Sequence, residues 1–203
     1  MCYRFYIDLF FKRKFKYTAE DRGFIVPEKE LARLADPRDV HPSETALVIA
    51  GSGTGNALQA EAMGWGFASP VTKGLLANAR SESMKEKPTF RESALLRRCV
   101  IPASGFYEWD ANKARYRFYR TDELLWLAGI YRAENGLMKF TILTRAAAGS
   151  MIGIHDRMPL TVEDHEVHRW IGDQEYADHI VKREPGYLIR EQDAGQISMD
   201  FGI

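Results

Sequence analysis

Short runs of aromatic and β-branched residues, separated by turn residues, recur through the middle of the chain and constrain its fold most strongly. Such runs are typical of β-strands. They cover residues 45–50, 63–67, 98–102, 105–109, 115–120, 124–131 and 138–144. We therefore predict a curved, barrel-like β core of short, mostly antiparallel strands.

Helical periodicity is limited to two short segments. In residues 27–35, Pro27 suits a helix start, and two leucines follow at helical spacing. Residues 161–164 have the form of a capping box, and an apolar helical face follows them. That face comprises Val167, Trp170 and Ile171. These elements predict peripheral helices and an α+β class, with a loosely packed tail after about residue 185.

Length and composition predict one folded unit. The 203 residues show no composition shift or internal repeat, so we expect a single domain spanning residues 1–203. Equal numbers of basic and acidic side chains, 28 of each, argue against a uniformly basic protein but allow a local basic groove. The densest positive run, residues 12–16, is interpreted as a solvated charged face. We expect a monomer.

The two cysteines, Cys2 and Cys99, lack the spacing of a zinc site or a disulfide framework. That pattern fits a reducing cytoplasm, and we expect neither a metal ion nor another cofactor. Asp8 interrupts the apolar stretch 5–11, a basic run follows it, and no small-residue cleavage site is present. The sequence therefore predicts a cytoplasmic protein with neither a signal peptide nor a membrane span.

Four segments combine reactive side chains with apolar or turn-like surroundings, where a rigid scaffold commonly holds functional groups. They are Met-Cys-Tyr-Arg at 1–4, Asn-Ala-Arg-Ser-Glu at 78–82, Gly-Phe-Tyr-Glu-Trp at 105–109 and Ile-His-Asp-Arg-Met-Pro at 154–159. These segments are the candidate sources of the site.

Cys2 is the most informative reactive residue. Initiator methionine is commonly removed when the second residue is small, and loss of Met1 leaves an amine and a thiol on one residue. Because the reference pKa of the amine is about 7.7–8.0, part of it is an unprotonated nucleophile near neutral pH. Such an amine condenses with an aldehyde to an imine, and the thiol then closes a thiazolidine ring. The alternative is that a cysteine stands at position 2 by accident.

Three further residues suit proton transfer or positioning. Glu108 has apolar neighbours that raise a carboxyl pKa and retain a proton for general acid chemistry, although strand carboxylates are often solvent-facing. His155 suits proton transfer near neutral pH, or alternatively a structural hydrogen bond. Asn78 can hold an amine or thiol without titrating, or it is an ordinary turn or cap residue.

Arginine and tryptophan side chains near these segments suit nucleic acid. Arg4, Arg80 and Arg157 each flank a reactive position and can contact phosphates. Trp65 and Trp109 offer stacking faces to unpaired bases, although tryptophan in a β core also serves packing. The sequence leaves both roles of these tryptophans, base stacking and core packing, open.

Taken in order, the four segments resemble the SRAP family, whose members shield abasic sites in single-stranded DNA. The resemblance extends from residue 2 to about residue 160. It implies that Cys2 is the crosslinking nucleophile and that Asn78 positions its amine. It further implies that Glu108 is the proton-transfer carboxylate, and that His155 assists sugar opening and reversal of the link.

The resemblance also implies a DNA path. Arg80 and Arg157 become phosphate contacts, with Arg4 and Pro42 near the strand. The chain departs from the family at two points, since Tyr3 stands where the family usually has Gly and no second tryptophan follows residues 65–70. The first departure predicts a narrowed or altered approach to the site, and the second predicts a missing stacking contact.

The implied function is therefore abasic-site processing in single-stranded DNA during the DNA damage (SOS) response, through a covalent thiazolidine link, with an associated autoproteolytic peptidase activity. Two alternatives stay open. One is an N-terminal-nucleophile cysteine peptidase or amidohydrolase in which the Cys2 thiol attacks. The other is a non-covalent single-strand-binding module that relies on arginines and aromatic residues.

Overall fold

The computed structural model describes residues 2–53 and 57–193. The helices are α1 (Phe11–Arg22), α2 (Glu28–Leu34), α3 (Pro88–Leu96), α4 (Val167–Gly172) and α5 (Gln174–Lys182). The strands are β1 (Phe5–Ile7), β2 (Arg38–Val40), β3 (Thr45–Gly51), β4 (Leu58–Trp65), β5 (Phe67–Ala68), β6 (Leu75–Leu76), β7 (Asn78–Arg80), β8 (Arg98–Ala103), β9 (Gly105–Trp109), β10 (Arg115–Tyr119), β11 (Leu125–Glu134), β12 (Leu137–Ala146), β13 (Arg157–Pro159), β14 (Thr161–Val162) and β15 (Ile189–Gln192).

Five long strands close into a barrel. Strand β3 pairs with β4 and β8, β8 pairs with β11, and β11 pairs with β12, all antiparallel. A parallel pairing of β12 with β4 closes the ring. The strand runs seen in the sequence lie in these barrel strands and in β9 and β10. The prediction of an α+β fold with a curved, barrel-like β core is confirmed.

A second sheet positions the start of the chain. Its strand order is β15-β10-β9-β1-β2, with β1 in antiparallel contact with both β9 and β2. Gly105 begins β9 where an added Cβ would lie 2.5 Å from the Phe118 carbonyl oxygen and 2.5 Å from the Tyr6 hydroxyl. Because only glycine, which has no Cβ, allows this close approach, β9 requires a glycine at its first residue.

The basic run at 12–16 forms part of a helix, α1, which the sequence reading did not predict. Phe11, Phe15 and Ala19 recur at helical spacing and are buried, whereas the basic side chains between them lie towards solvent. The interpretation of this run as a solvated charged face agrees with that arrangement. In the described part of the chain, no helix has both the length and the apolar character needed to cross a bilayer.

Two local predictions need correction. The capping box uses Glu163 and Glu166 rather than residues 161–164, because Thr161 and Val162 extend into strand β14 instead. In the tail expected after residue 185, Leu188 is buried and β15 adds to the edge of β10, while residues 190–192 are exposed. Residues beyond 193 lie outside the described part.

Candidate active site

Cys2 enters the site as the continuation of β1. Phe5 pairs with Phe106 in β9, and the same antiparallel register continues towards the N-terminus, because the Tyr107 N–H donates to the Arg4 carbonyl at 3.0 Å. Cys2 therefore lies beside the end of β9. Its side chain is fully buried, with Sγ 3.8 Å from the Arg4 carbonyl oxygen.

Asn78 reaches Cys2 from the opposite sheet. It begins β7, which runs parallel to β12 with Asn78 opposite Ile142. Its Nδ2 donates a hydrogen bond of 2.9 Å to the Cys2 carbonyl oxygen, joining residues 76 apart in sequence. Its Oδ1 is also buried and accepts no hydrogen bond from the described residues. The Asn78 amide thus binds the backbone of residue 2 through Nδ2, and its Oδ1 can accept a further hydrogen bond.

Glu108 is the buried carboxyl group of the site. In β9, Phe106 and Glu108 are buried while the alternate residues Tyr107 and Trp109 are partly exposed, as strand geometry requires. Only 3% of Glu108 is exposed, and this burial raises its pKa. Burial also raises the pKa of the Cys2 thiol far above its usual range, with the nearby charge of Glu108 acting in the same direction. Cys2, Asn78 and Glu108 therefore occupy one cluster.

His155 lies two residues before β13, the short strand that pairs with the end of β12. Its Nδ1 accepts the Arg157 backbone N–H at 3.0 Å, which assigns the proton of the neutral ring to Nε2. Burial lowers the pKa of His155 and so favours the neutral form of the ring. Strand β12 pairs with β13 along one edge and with β7 along the other, so the segments that carry His155 and Asn78 flank β12.

The three predicted arginines differ in availability. Arg80 follows Asn78 on the same face of β7, is exposed, and makes no ion pair with any described residue. Arg4 lies over the Trp109 ring at 5.2 Å and 3.5 Å from the Asp39 carboxylate. Arg157 donates to both Glu82 carboxylate oxygens, at 2.7 and 2.8 Å. The sequence predicts that Arg157 contacts phosphate, whereas in this structure its guanidinium is paired with Glu82.

The two tryptophans also differ. Trp65 is fully buried, packs 5.2 Å from Phe5 and 6.1 Å from Phe140, and donates its indole N–H to the Ala77 carbonyl at 2.8 Å. Of the two roles left open by the sequence, Trp65 has the packing role in this structure. Trp109 is partly exposed at the end of β9 beside residues 2–4.

The segment around Pro42 borders the same residues from the other side. Val40 pairs with Phe5, so residues 41–43 continue alongside the N-terminal residues. Tyr3 is 48% exposed, so its ring lies mainly towards solvent rather than filling the site. The hairpin of β5 and β6, where a second tryptophan was missing, instead carries Val71, which is 88% exposed.

The family of the chain is shown by comparison with models of known families. A family model described as "SOS response associated peptidase (SRAP)" matches residues 1–194. The chain belongs to the SRAP family. Among curated relatives, YoqW of Bacillus subtilis, named an abasic site processing protein, is 32% identical over 148 residues. YoaM of the same organism is 34% identical over 144 residues, and HMCES of Xenopus tropicalis is 31% identical over 123, both with the same description.

These SRAP alignments are partial, whereas the fold matches over nearly the whole chain. The YoqW alignment covers 66% of this chain and 65% of YoqW, the YoaM alignment 63% of each, and the HMCES alignment 46% and 37%. The chain thus spans about two thirds of the length of the first of these relatives. A phage-related protein from Bordetella bronchiseptica superposes with a TM-score of 0.77 at 19% identity, covering 96% of this chain and 95% of that one. A second protein of that organism gives 0.74 at 22% identity, covering 95% and 99%.

Sequence reasoning gave Glu82 no role, although it is the last residue of the Asn-Ala-Arg-Ser-Glu segment. Arg157 lowers the pKa of Glu82 to about 2 by direct hydrogen bonding. The partners are 75 residues apart, so no local pattern indicates the contact. The presence of an acid and an arginine in two of the four reactive segments was the available signal.

Proposed function

We propose that this SRAP protein processes abasic sites in single-stranded DNA by forming a covalent thiazolidine link through Cys2 after removal of Met1. The observation that carries the proposal is the 2.9 Å hydrogen bond from Asn78 Nδ2 to the Cys2 carbonyl, beside the buried Glu108. It holds residue 2 next to an amide and a carboxyl group. The names of the curated relatives agree with abasic-site processing.

The chemistry of the proposed link balances without an oxidant or a reductant. The unprotonated amine of Cys2 adds to the aldehyde carbon of the opened abasic sugar and gives a carbinolamine. Loss of one water molecule gives an imine. The Cys2 sulfur then adds to the imine carbon while its proton passes to the nitrogen, closing a five-membered ring. The net reaction releases only water.

Glu108 suits the proton transfers of this sequence. A carboxyl group whose pKa is raised by burial can deliver a proton to the departing hydroxyl of the carbinolamine and then accept one from the thiol. Asn78 keeps residue 2 in place, and its free Oδ1 suits an N–H of the new amine. Neutral His155, with its proton on Nε2, suits sugar opening and reversal of the link.

The same residues support the proposed peptidase activity, which is limited here to release of Met1 or a short leader from the chain itself. The DNA strand would contact Arg80, which makes no ion pair among residues 2–53 and 57–193, and pass Arg4, Trp109 and Pro42. Trp65 takes no part because it is buried.

The two alternatives receive less support. A thiol-nucleophile hydrolase needs a thiolate, and burial raises the pKa of the Cys2 thiol and disfavours that form. An amine-first reaction does not need the thiolate. A non-covalent binding module needs free cations and stacking faces, yet Arg157 is ion-paired and Trp65 is buried.

A denaturing gel tests the proposal. Purified protein is incubated with single-stranded DNA carrying one abasic site and run in SDS, with Cys99→Ala as the control, because Cys99 is the other fully buried free cysteine. We expect an SDS-stable shifted band for wild type and Cys99→Ala and none for Cys2→Ala. Since alanine keeps the amine, borohydride reduction should restore an adduct in Cys2→Ala by trapping the imine. No band in wild type, or an unreduced band in Cys2→Ala, would contradict the proposal.

A further inference from the structure

The Glu82–Arg157 ion pair connects the turn that follows β7 with the start of β13. Arg157 Nη1 and Nη2 donate to the two carboxylate oxygens of Glu82 at 2.7 and 2.8 Å. Glu82 Oε1 also accepts the Ala146 N–H at 3.1 Å. Parallel, bidentate pairing of this kind fixes orientation as well as distance. Glu82 therefore connects three segments by hydrogen bonds: its own turn, the end of β12 at Ala146 and the start of β13 at Arg157.

The same arginine is anchored a second time on β12. Arg157 Nη2 donates to the Thr144 carbonyl at 2.6 Å, and Thr144 is the residue opposite Arg80 in the β7 pairing. The Ser81 N–H also donates to the Thr144 carbonyl, at 2.8 Å. One carbonyl thus receives hydrogen bonds from the segments that carry Asn78 and His155.

The backbone of Arg157 controls the imidazole. Its N–H donates to His155 Nδ1 at 3.0 Å, and this contact leaves the ring proton on Nε2. The Asp156 carbonyl accepts the Ala147 N–H at 2.9 Å and holds the intervening peptide on β12. A shift of Arg157 would therefore move the donor that selects the His155 tautomer.

We propose that Glu82 is a positioning residue for the site: by holding Arg157 on β12, it fixes the orientation and tautomer of His155. This inference rests on the proposed function. For metal-bound histidines, removing the group that orients the ring through its second nitrogen commonly changes metal affinity or activity by about 10-fold to 100-fold, and the indirect contact of Glu82 corresponds to the lower end. Glu82 has no part in contacting DNA or the reacting atoms in this proposal.

The test compares wild type, Glu82→Gln and Asp164→Asn. Asp164 is a matched control because its carboxylate also pairs with an arginine, Arg22 at the end of α1, at 2.7 Å. For Glu82→Gln we expect about a 10-fold lower maximal rate of crosslinking at saturating DNA. We expect Asp164→Asn to crosslink at the wild-type rate. Thermal unfolding of each variant reports the folded fraction.

A second readout is independent of crosslinking. The 15N chemical shifts of His155 should show the Nε2–H tautomer in wild type and in Asp164→Asn, and a mixture in Glu82→Gln. A wild-type rate or an unchanged tautomer in Glu82→Gln would overturn the inference, as would an equal loss of rate in Asp164→Asn. If wild type forms no adduct, the proposed function fails, and the tautomer measurement alone still decides the role of Glu82.

Discussion

Glu108 and Glu82 are two carboxyl groups in the same region whose surroundings shift their pKa values in opposite directions. Burial raises the pKa of Glu108, which is only 3% exposed. Glu82 is 47% exposed in its side chain and pairs with Arg157, which lowers its pKa to about 2. Glu108 is suited to carry a proton, whereas Glu82 is an anion at neutral pH.

The difference teaches that the partner, rather than the residue type, assigns the role. Where burial outweighs the other influences on a carboxyl group, as at Glu108, the neutral form is stabilised and the group can exchange protons. A carboxylate in a bidentate pair gains more from orientation than from reactivity. Pairing with Glu82 also occupies the Arg157 guanidinium, so Arg80 rather than Arg157 is available to bind a phosphate.

The largest expected effect is on crosslinking by Glu108→Gln. Glutamine keeps the shape of the side chain but cannot transfer a proton, so we expect the rate to fall by about 100-fold or more. The rate is measured by quenched SDS gels between pH 5 and 9. A loss of less than threefold would remove the distinction between the two carboxyl groups.

The stability of Glu108→Gln should change in the opposite direction. Because folding raises the pKa of Glu108, the folded state disfavours the charged form, and this cost appears as pH rises above the unfolded value of about 4.5. We therefore expect equal melting temperatures at pH 4 and a higher one for Glu108→Gln at pH 8. A lower melting temperature for the variant at pH 8 would contradict the assignment.

The second prediction concerns acid stability and Glu82. Its folded pKa is lowered from 4.5 to about 2, so the ion pair stabilises the fold above pH 4.5 and is lost as pH falls towards 2. Exposed pairs contribute up to about 1 kcal/mol, which corresponds to about 2–4 °C in melting temperature for a chain of this size. We expect Glu82→Gln to melt lower by that amount at pH 6 and to converge with wild type near pH 2. Parallel curves over this range would show that the pair adds no stability.

The smallest expected effect is on reversible binding by Arg80→Ala. Removing one phosphate contact to single-stranded DNA should lower the slope of log K against log salt by about 0.7. Fluorescence anisotropy with unmodified DNA measures this slope, and Lys29→Ala on α2 serves as a control because Lys29 is an exposed cation paired only weakly, at 3.8 Å, with Glu30. An unchanged slope in Arg80→Ala would return Arg157 to consideration as the phosphate contact.

The strands were predictable because their side-chain alternation is local. Residues 105–109 illustrate this point, since the period-two burial of β9 follows directly from strand geometry. Helix α1 was missed because its buried face consists only of Phe11, Phe15 and Ala19 among strongly charged neighbours. Strand β15 was missed because its pairing with β10 joins residues more than 70 apart.

The sequence by itself determined the strand-rich α+β class, the SRAP resemblance and the identity of the reactive segments, because each depends on residue type and short-range order. Only the tertiary structure decided that Trp65 packs inside the barrel, that Asn78 binds the backbone of Cys2, and that Arg157 belongs to Glu82. Burial and charge pairing set these outcomes, and both arise from contacts between residues about 75 positions apart, which no local pattern records.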